Sequence, residues 1–120
     1  MHQMSSRCFT TSGKCVSSQV IIPTNFVQRA KGLLGRDRLK ENESLLIYNC
    51  SSIHMFGMKF AIDLIFLDAS LRIVKVVKSL KPWRLASCKQ AKHTMELAED
   101  SIAIHGLVIG ERLMINEYEK

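Results

Sequence analysis

The chain lacks any apolar run long enough to cross a membrane as a helix. Such a span needs ~20 residues, whereas the longest apolar-rich stretch, Ala61 to Leu67, is of strand length and is interrupted by Asp63. The first 18 residues are polar and lack the apolar block of roughly 7–15 residues that a secretory signal requires, so a cytoplasmic protein is expected. The cysteines, Cys8, Cys15, Cys50 and Cys88, include no CxxC pair, which removes the zinc-knuckle signature; in a reducing compartment they should be free thiols. Aromatic residues make up only 7 %, with a single tryptophan. That argues against a nucleic-acid reader, which interleaves stacking rings with its basic residues. There is no internal repeat and no low-complexity block. Between Ala69 and Met95 there is also no acidic residue, although seven basic ones fall there: Arg72, Lys75, Lys78, Lys81, Arg84, Lys89 and Lys92.

What is present fits one small globular unit. With 120 residues, 47 % of them hydrophobic, the chain can bury a core without disulfide or metal staples. Residues 1–16 offer nothing to bury and are expected to form a flexible polar tail before a single compact domain, 17–120. Val20 to Ile22 reads as a short strand ended by Pro23. Thr24 or Asn25 can cap a helix to about Leu34, with Phe26, Val27, Ala30, Leu33 and Leu34 on one face and Gly35 as its stop. Strands are predicted at Leu45 to Tyr48, Ile53 to Phe60, Ala61 to Leu67, Arg72 to Val77, Thr94 to Leu97 and Arg112 to Ile115, with a loop over Trp83 to Lys92. Asp100 can cap a short helix through His105, closed by Gly106. Strands outnumber helices and their connections are short. The expected fold is therefore α+β: a curved antiparallel sheet or small barrel-like core carrying one longer and one short helix.

Four blocks, in order, carry a family resemblance. They are Arg29 to Arg36 (RAKGLLGR), Ile53 to Asp68 (IHMFGMKFAIDLIFLD), Lys81 to Arg84 (KPWR), and Met95-Glu96-Leu97 followed by Gly106 and Gly110. Their pattern resembles the bacterial and archaeal family called domain of unknown function 192. The resemblance implies a compact β-rich fold and no catalytic residues; it also hints at a link to cell-envelope or pilus assembly. The family usually places glycine before the short helix and in the hairpin turn, where this chain has Asp100 and Ser70-Leu71.

Asp63 is the sharpest candidate residue, an acid inside an otherwise apolar strand. A buried carboxylate is costly unless paired or hydrogen-bonded, so Arg29, Arg36 or backbone N–H groups are its expected partners. Asp63 could instead lie at the bottom of a pocket. Met55, Phe56 and Met58 read as packing or a pocket wall. Trp83, between Pro82 and Arg84, reads as a cover over the core edge or a contact residue. Glu96 could pair with a basic residue of the Arg72–Lys78 strand.

These readings combine into a non-catalytic binding or accessory module. Its ligand site would be formed by His54, Met58, Asp63, Trp83 and Arg84, with a basic rim for an anionic small molecule or an acidic protein partner. No metal or cofactor is expected. The alternative is a small metal- or thiol-dependent enzyme using Cys50, His54 and Cys88, whose residue types suit zinc or a Cys–His nucleophile pair.

Overall fold

A computed structural model of the chain describes residues 4–23 and 33–119. Nine strands and one short helix are found among them: β1 Met4–Thr10, β2 Cys15–Ile21, β3 Glu43–Ile47, β4 Ser52–His54, β5 Ile62–Leu67, β6 Ile73–Leu80, β7 Leu85–Ser87, β8 His93–Ala98, α1 Ser101–His105 and β9 Leu113–Glu119. The longer helix expected from Thr24 or Asn25 falls mostly outside the described residues. No helix among the described residues is long and apolar enough to cross a membrane.

Seven strands form one sheet in the order β6-β5-β8-β3-β2-β1-β9, and β4 pairs with β7 in a second, two-stranded sheet. The large sheet is antiparallel except where β2 runs parallel to β3. A parallel pair needs a crossover of a dozen or more residues, which residues 22–42 supply. The sheet is therefore mixed, where an antiparallel one was expected. It is also strongly curled. Its two edge strands meet at one end: Ile73 N–H donates to the Glu111 carbonyl (2.8 Å), Gly110 N–H to the Ile73 carbonyl (2.8 Å) and Leu113 N–H to the Leu71 carbonyl (2.9 Å).

Strand alternation then separates two cores. On β5, Asp63, Ile65 and Leu67 face one way, and Ile62, Leu64 and Phe66 the other. Ile65 and Leu67 belong to a cluster that draws on all seven strands, with Cys8, Val20, Leu46, Ile73, Met95 and Leu113 among its members. Only the inside of the curl can collect residues from both sheet edges, so this cluster is the barrel interior. Ile102 and Leu107, from α1 and the loop after it, plug it. The second cluster lies on the outer face. There Leu45, Ile47, Leu64 and Phe66 are covered by Ile53, Met55, Met58 and Cys88 from around the small sheet, and by Leu33 and Leu39. A fully buried side chain such as Phe66 contributes roughly 1.5–3 kcal/mol over leaving it in water.

The polar stretch 1–16, expected as a flexible tail, is a wall of the barrel from Met4 onward. β1 pairs with β2 on one side and β9 on the other, so its backbone is satisfied without an apolar sequence. The buried polar side chains in this region are small and bonded. Thr10 Oγ1 accepts from Lys14 N–H (3.1 Å), Ser17 Oγ donates to the Asn42 carbonyl (2.9 Å), and Ser44 Oγ donates to Ser17 Oγ (2.8 Å).

The two places where the family resemblance implies glycine have a left-handed backbone: Leu71 has φ 67° and Asp100 has φ 76°. For a residue with a Cβ this conformation costs roughly 1–2 kcal/mol. Asp100 precedes α1 but makes no side-chain capping bond that would offset the cost. Asp100→Gly is therefore expected to raise stability by up to about 1 kcal/mol, after allowing for the extra freedom of glycine in the unfolded chain. Urea unfolding would read this directly, and a destabilised variant would refute it.

Candidate functional site

The exposed feature with the most structure behind it is built from two back-to-back turns. Met55-Phe56-Gly57-Met58 closes with Met58 N–H donating to the Met55 carbonyl (3.2 Å), and Gly57 at its third position has φ 80°. Lys81-Pro82-Trp83-Arg84 closes with Arg84 N–H donating to the Lys81 carbonyl (3.2 Å), and Trp83 at its third position has φ 69°. Both follow the type II pattern, which takes proline second and wants glycine third. The turns are tied together: Met55 N–H donates to the Arg84 carbonyl (2.7 Å) and Trp83 N–H to the Met55 carbonyl (2.8 Å). Met55 is itself buried in the outer core, and the β4–β7 pairing of His54 with Leu85 continues from this junction.

The junction displays three rings in a row. The His54 and Phe56 ring centroids are 4.9 Å apart with planes tilted by 30°, and Phe56 and Trp83 are 6.0 Å apart and tilted by 25°. Trp83 is 68 % exposed and Phe56 47 %. Lys81 and Arg84, at the ends of the tryptophan turn, are exposed, and among the described residues neither has an ion-pair partner. A large apolar ring is thus held out in solvent, in a backbone conformation it disfavours, on a turn whose two end residues are cations without an ion-pair partner among the described residues. Trp83→Gly should be more stable than Trp83→Ala by about 1 kcal/mol, since only glycine adopts this φ freely. Thermal melts of the two variants check this, and equal stabilities would contradict it.

The expected site is only partly assembled here. His54, Trp83 and Arg84 come together, and Phe56, read from sequence as packing, joins them. Its signal was the two-residue spacing from His54, which puts both rings on one side of an extended segment. Met58 is instead buried in the outer core. Asp63 is also elsewhere, 1 % exposed on the inner face of β5. Its Oδ1 accepts from Ser79 N–H and its Oδ2 from Ile102 N–H, each at 2.9 Å. Ser79 sits, with φ 54°, where β6 bulges opposite Asp63. Asp63 therefore ties the bulge of β6 to the first turn of α1 and is not part of one site with His54.

The expected charge partners also differ. Arg36 does not reach Asp63; its Nη2 donates to Glu43 Oε1 at 2.9 Å. Arg29 lies outside the described residues. Glu96 cannot pair with the basic residues of β6, because β5 stands between β6 and β8. It faces the outer core between Leu45 and Leu64 of the neighbouring strands. Burial pushes its carboxyl up to about 7 from an ordinary 4.5.

Cys50, His54 and Cys88 do not form a centre. The Cys50 thiol donates to the Ser52 carbonyl (3.2 Å), the Cys88 thiol to Gln90 Oε1 (3.5 Å), and the His54 ring lies against Phe56. All four cysteines are free, and burial pushes the Cys8 thiol up to about 12, which keeps it an inert core group. Among the described residues no three His, Cys, Asp or Glu side chains stand together as a metal site. Of the basic segment, Arg72 donates to the Gly110 carbonyl (2.7 Å) and Lys75 to the Ser87 carbonyl (2.8 Å). Lys81 and Arg84 are the first and last residues of the turn that presents Trp83.

Comparison with known proteins agrees with this architecture. A UPF0127 protein of Pyrococcus furiosus is 32 % identical over 114 residues, covering 88 % of this chain and 94 % of the relative. A UPF0127 protein of Thermococcus sibiricus is 34 % identical over 110 residues, covering 86 % and 70 %. A crystal structure from Sinorhizobium meliloti superposes with a TM-score of 0.80 at 18 % identity, over 94 % of each chain, which is a likeness of fold. The model of the family described as Uncharacterized ACR, domain of unknown function 192, matches residues 7–115, and the chain belongs to that family.

Proposed function

We propose that the protein is a small recognition module, not a catalyst, that works in the cytoplasm through the His54–Phe56–Trp83 row. Its partner is an anionic small molecule or an acidic protein segment, held by Lys81 and Arg84 at the sides of the rings. The observation that carries this reading is Trp83, exposed and left-handed at a turn position that would be relaxed with glycine. Backbone strain of this kind costs of order 1–3 kcal/mol and persists mostly where it serves a site. Tryptophan and arginine are also the residues most often found carrying binding energy at interfaces. The absence of acids between Ala69 and Met95 supports the sign of the partner. A place in cell-envelope or pilus assembly, which the family resemblance suggests, would make the partner an acidic segment of an assembling protein.

Trp83 is the only tryptophan, so its fluorescence reports on this surface alone. Titration with a hexaglutamate peptide and with inorganic polyphosphate is expected to give a saturable change for at least one of them. The response should weaken as salt rises, since exposed charges are screened over about 8 Å at physiological ionic strength. It should weaken several-fold more in the double variant Lys81→Glu/Arg84→Glu, with unchanged unfolding. No saturable response to either probe, or one indifferent to both salt and charge reversal, would refute a basic recognition surface.

A further inference from the structure

We infer that the ligand class of this surface is a nucleobase carrying phosphate, bound as the next ring of the stack. This deepens, and rests on, the reading of the row as a recognition surface. His54, Phe56 and Trp83 follow one another at 4.9 and 6.0 Å with planes tilted by 30° and 25°. Phe56, in the middle, has a ring neighbour on each side. Trp83, at the end, has one ring neighbour among the described residues and is 68 % exposed. The stack therefore stops at an indole with an open face, and the group that best continues a stack of flat rings is another flat ring.

The charges beside that open face select what the ring carries. Lys81 and Arg84 are the first and last residues of the turn that presents Trp83, and neither has an ion-pair partner among the described residues. The nearest acids in sequence, Asp68 and Glu96, are on the other side of the question: Asp68 binds Ser70 and Arg72 in its own turn, and Glu96 is buried in the outer core. A glutamate-rich peptide would neutralise the two cations but leave the indole face bare. A base with its phosphate engages both. In sequence Trp83 is the one ring among the basic residues from Ala69 to Met95; the β4–β7 pairing brings two more, His54 and Phe56, from a distant segment.

The same geometry predicts how such a ligand is read. Beyond the imidazole of His54, the row offers ring faces and edges in place of a pattern of donors and acceptors, so binding should tolerate a change of base. Stacking on one aromatic is worth ~1–3 kcal/mol by alanine substitution, about a 5- to 140-fold loss of affinity. Two phosphate contacts on a single strand should give a slope of log affinity against log salt near −1.4.

The test uses the full chain with four kinds of probe: uridine and adenosine monophosphates, single-stranded octamers of uridine and of adenosine, an abasic phosphodiester octamer, and the hexaglutamate peptide. Trp83 quenching and anisotropy of labelled octamers are the readouts. Base-bearing probes are expected to quench Trp83 and to bind more tightly than the abasic chain. Trp83→Ala should lose about 5- to 140-fold, while Trp83→Phe, which restores a ring, should stay within a few-fold of the natural protein. Saturation by the monophosphates points to a free nucleotide, and saturation by the octamers alone points to a single strand; both support the inference. Equal binding of abasic and base-bearing octamers would overturn it. A response to hexaglutamate without one to any base-bearing probe would overturn it too, while leaving the recognition surface standing. Silence toward all four would remove both.

Discussion

Replacing Asp63 with alanine is expected to lower the unfolding free energy by about 2–4 kcal/mol, the range for stripping the partner from buried hydrogen-bonding groups. Each carboxylate oxygen accepts one backbone N–H at 2.9 Å, from Ser79 and from Ile102. Truncation would leave both donors without an acceptor, Ile102 N–H buried and Ser79 N–H partly so. Asp63→Asn should be intermediate, because its amide keeps one oxygen and turns an NH₂ toward the other donor. Urea melts with an unchanged slope would show that stability alone has moved. A neutral Asp63→Ala would mean that water reaches the Ser79 bulge or the start of α1.

Raising the pH from 5 to 8 should cost about 2–3 kcal/mol of stability through Glu96. Burial raises its folded pKa to about 7, against an ordinary 4.5. Over that interval the folded protein holds a proton that the unfolded chain has released, so stability falls as pH rises. The loss is about 1.4 kcal/mol per unit and levels off above pH 7. Glu96→Gln keeps the shape and removes the titration. It should flatten the profile and be the more stable form at pH 8. His93 acts in the opposite sense, since burial and the neighbouring Lys92 lower its pKa, but it cancels in the difference between the natural protein and Glu96→Gln. Parallel profiles for the two would show that Glu96 is ionised at no cost.

The legibility of the fold varied along the chain for physical reasons. β5 was readable because Ile62 to Leu67 is buried on both faces and therefore apolar almost throughout. The short helix was readable from Gly106 in the left-handed position that ends it, whereas Asp100, expected as its cap, is itself left-handed and makes no side-chain capping bond. β1 was not. Ser5, Ser6, Arg7 and Thr10 look like a tail, yet a strand paired on two sides satisfies its backbone whatever its side chains are. The site was half legible. His54 and Phe56 announce a shared side by their spacing. Trp83 joins them only through two three-residue strands, too short to carry a pattern. The separation of Asp63 from His54 depended on which face of the sheet lies inside the curl, and that is decided by the meeting of Ile73 with Glu111 at the far edges.

The pairing of β1 with β9 also has a consequence for synthesis. Met4 lies opposite Glu119 and Thr10 opposite Leu113, so β1 is synthesised well before the strand that covers its outer edge. Until then the outer edge of β1 is an unpaired template for any other strand. The nascent chain would hold a hairpin of β1 and β2 with one raw edge until β9 is available to pair with it. The small polar residues Ser5, Ser6 and Thr10 suit that wait, because a wholly apolar strand left open that long would be an aggregation site.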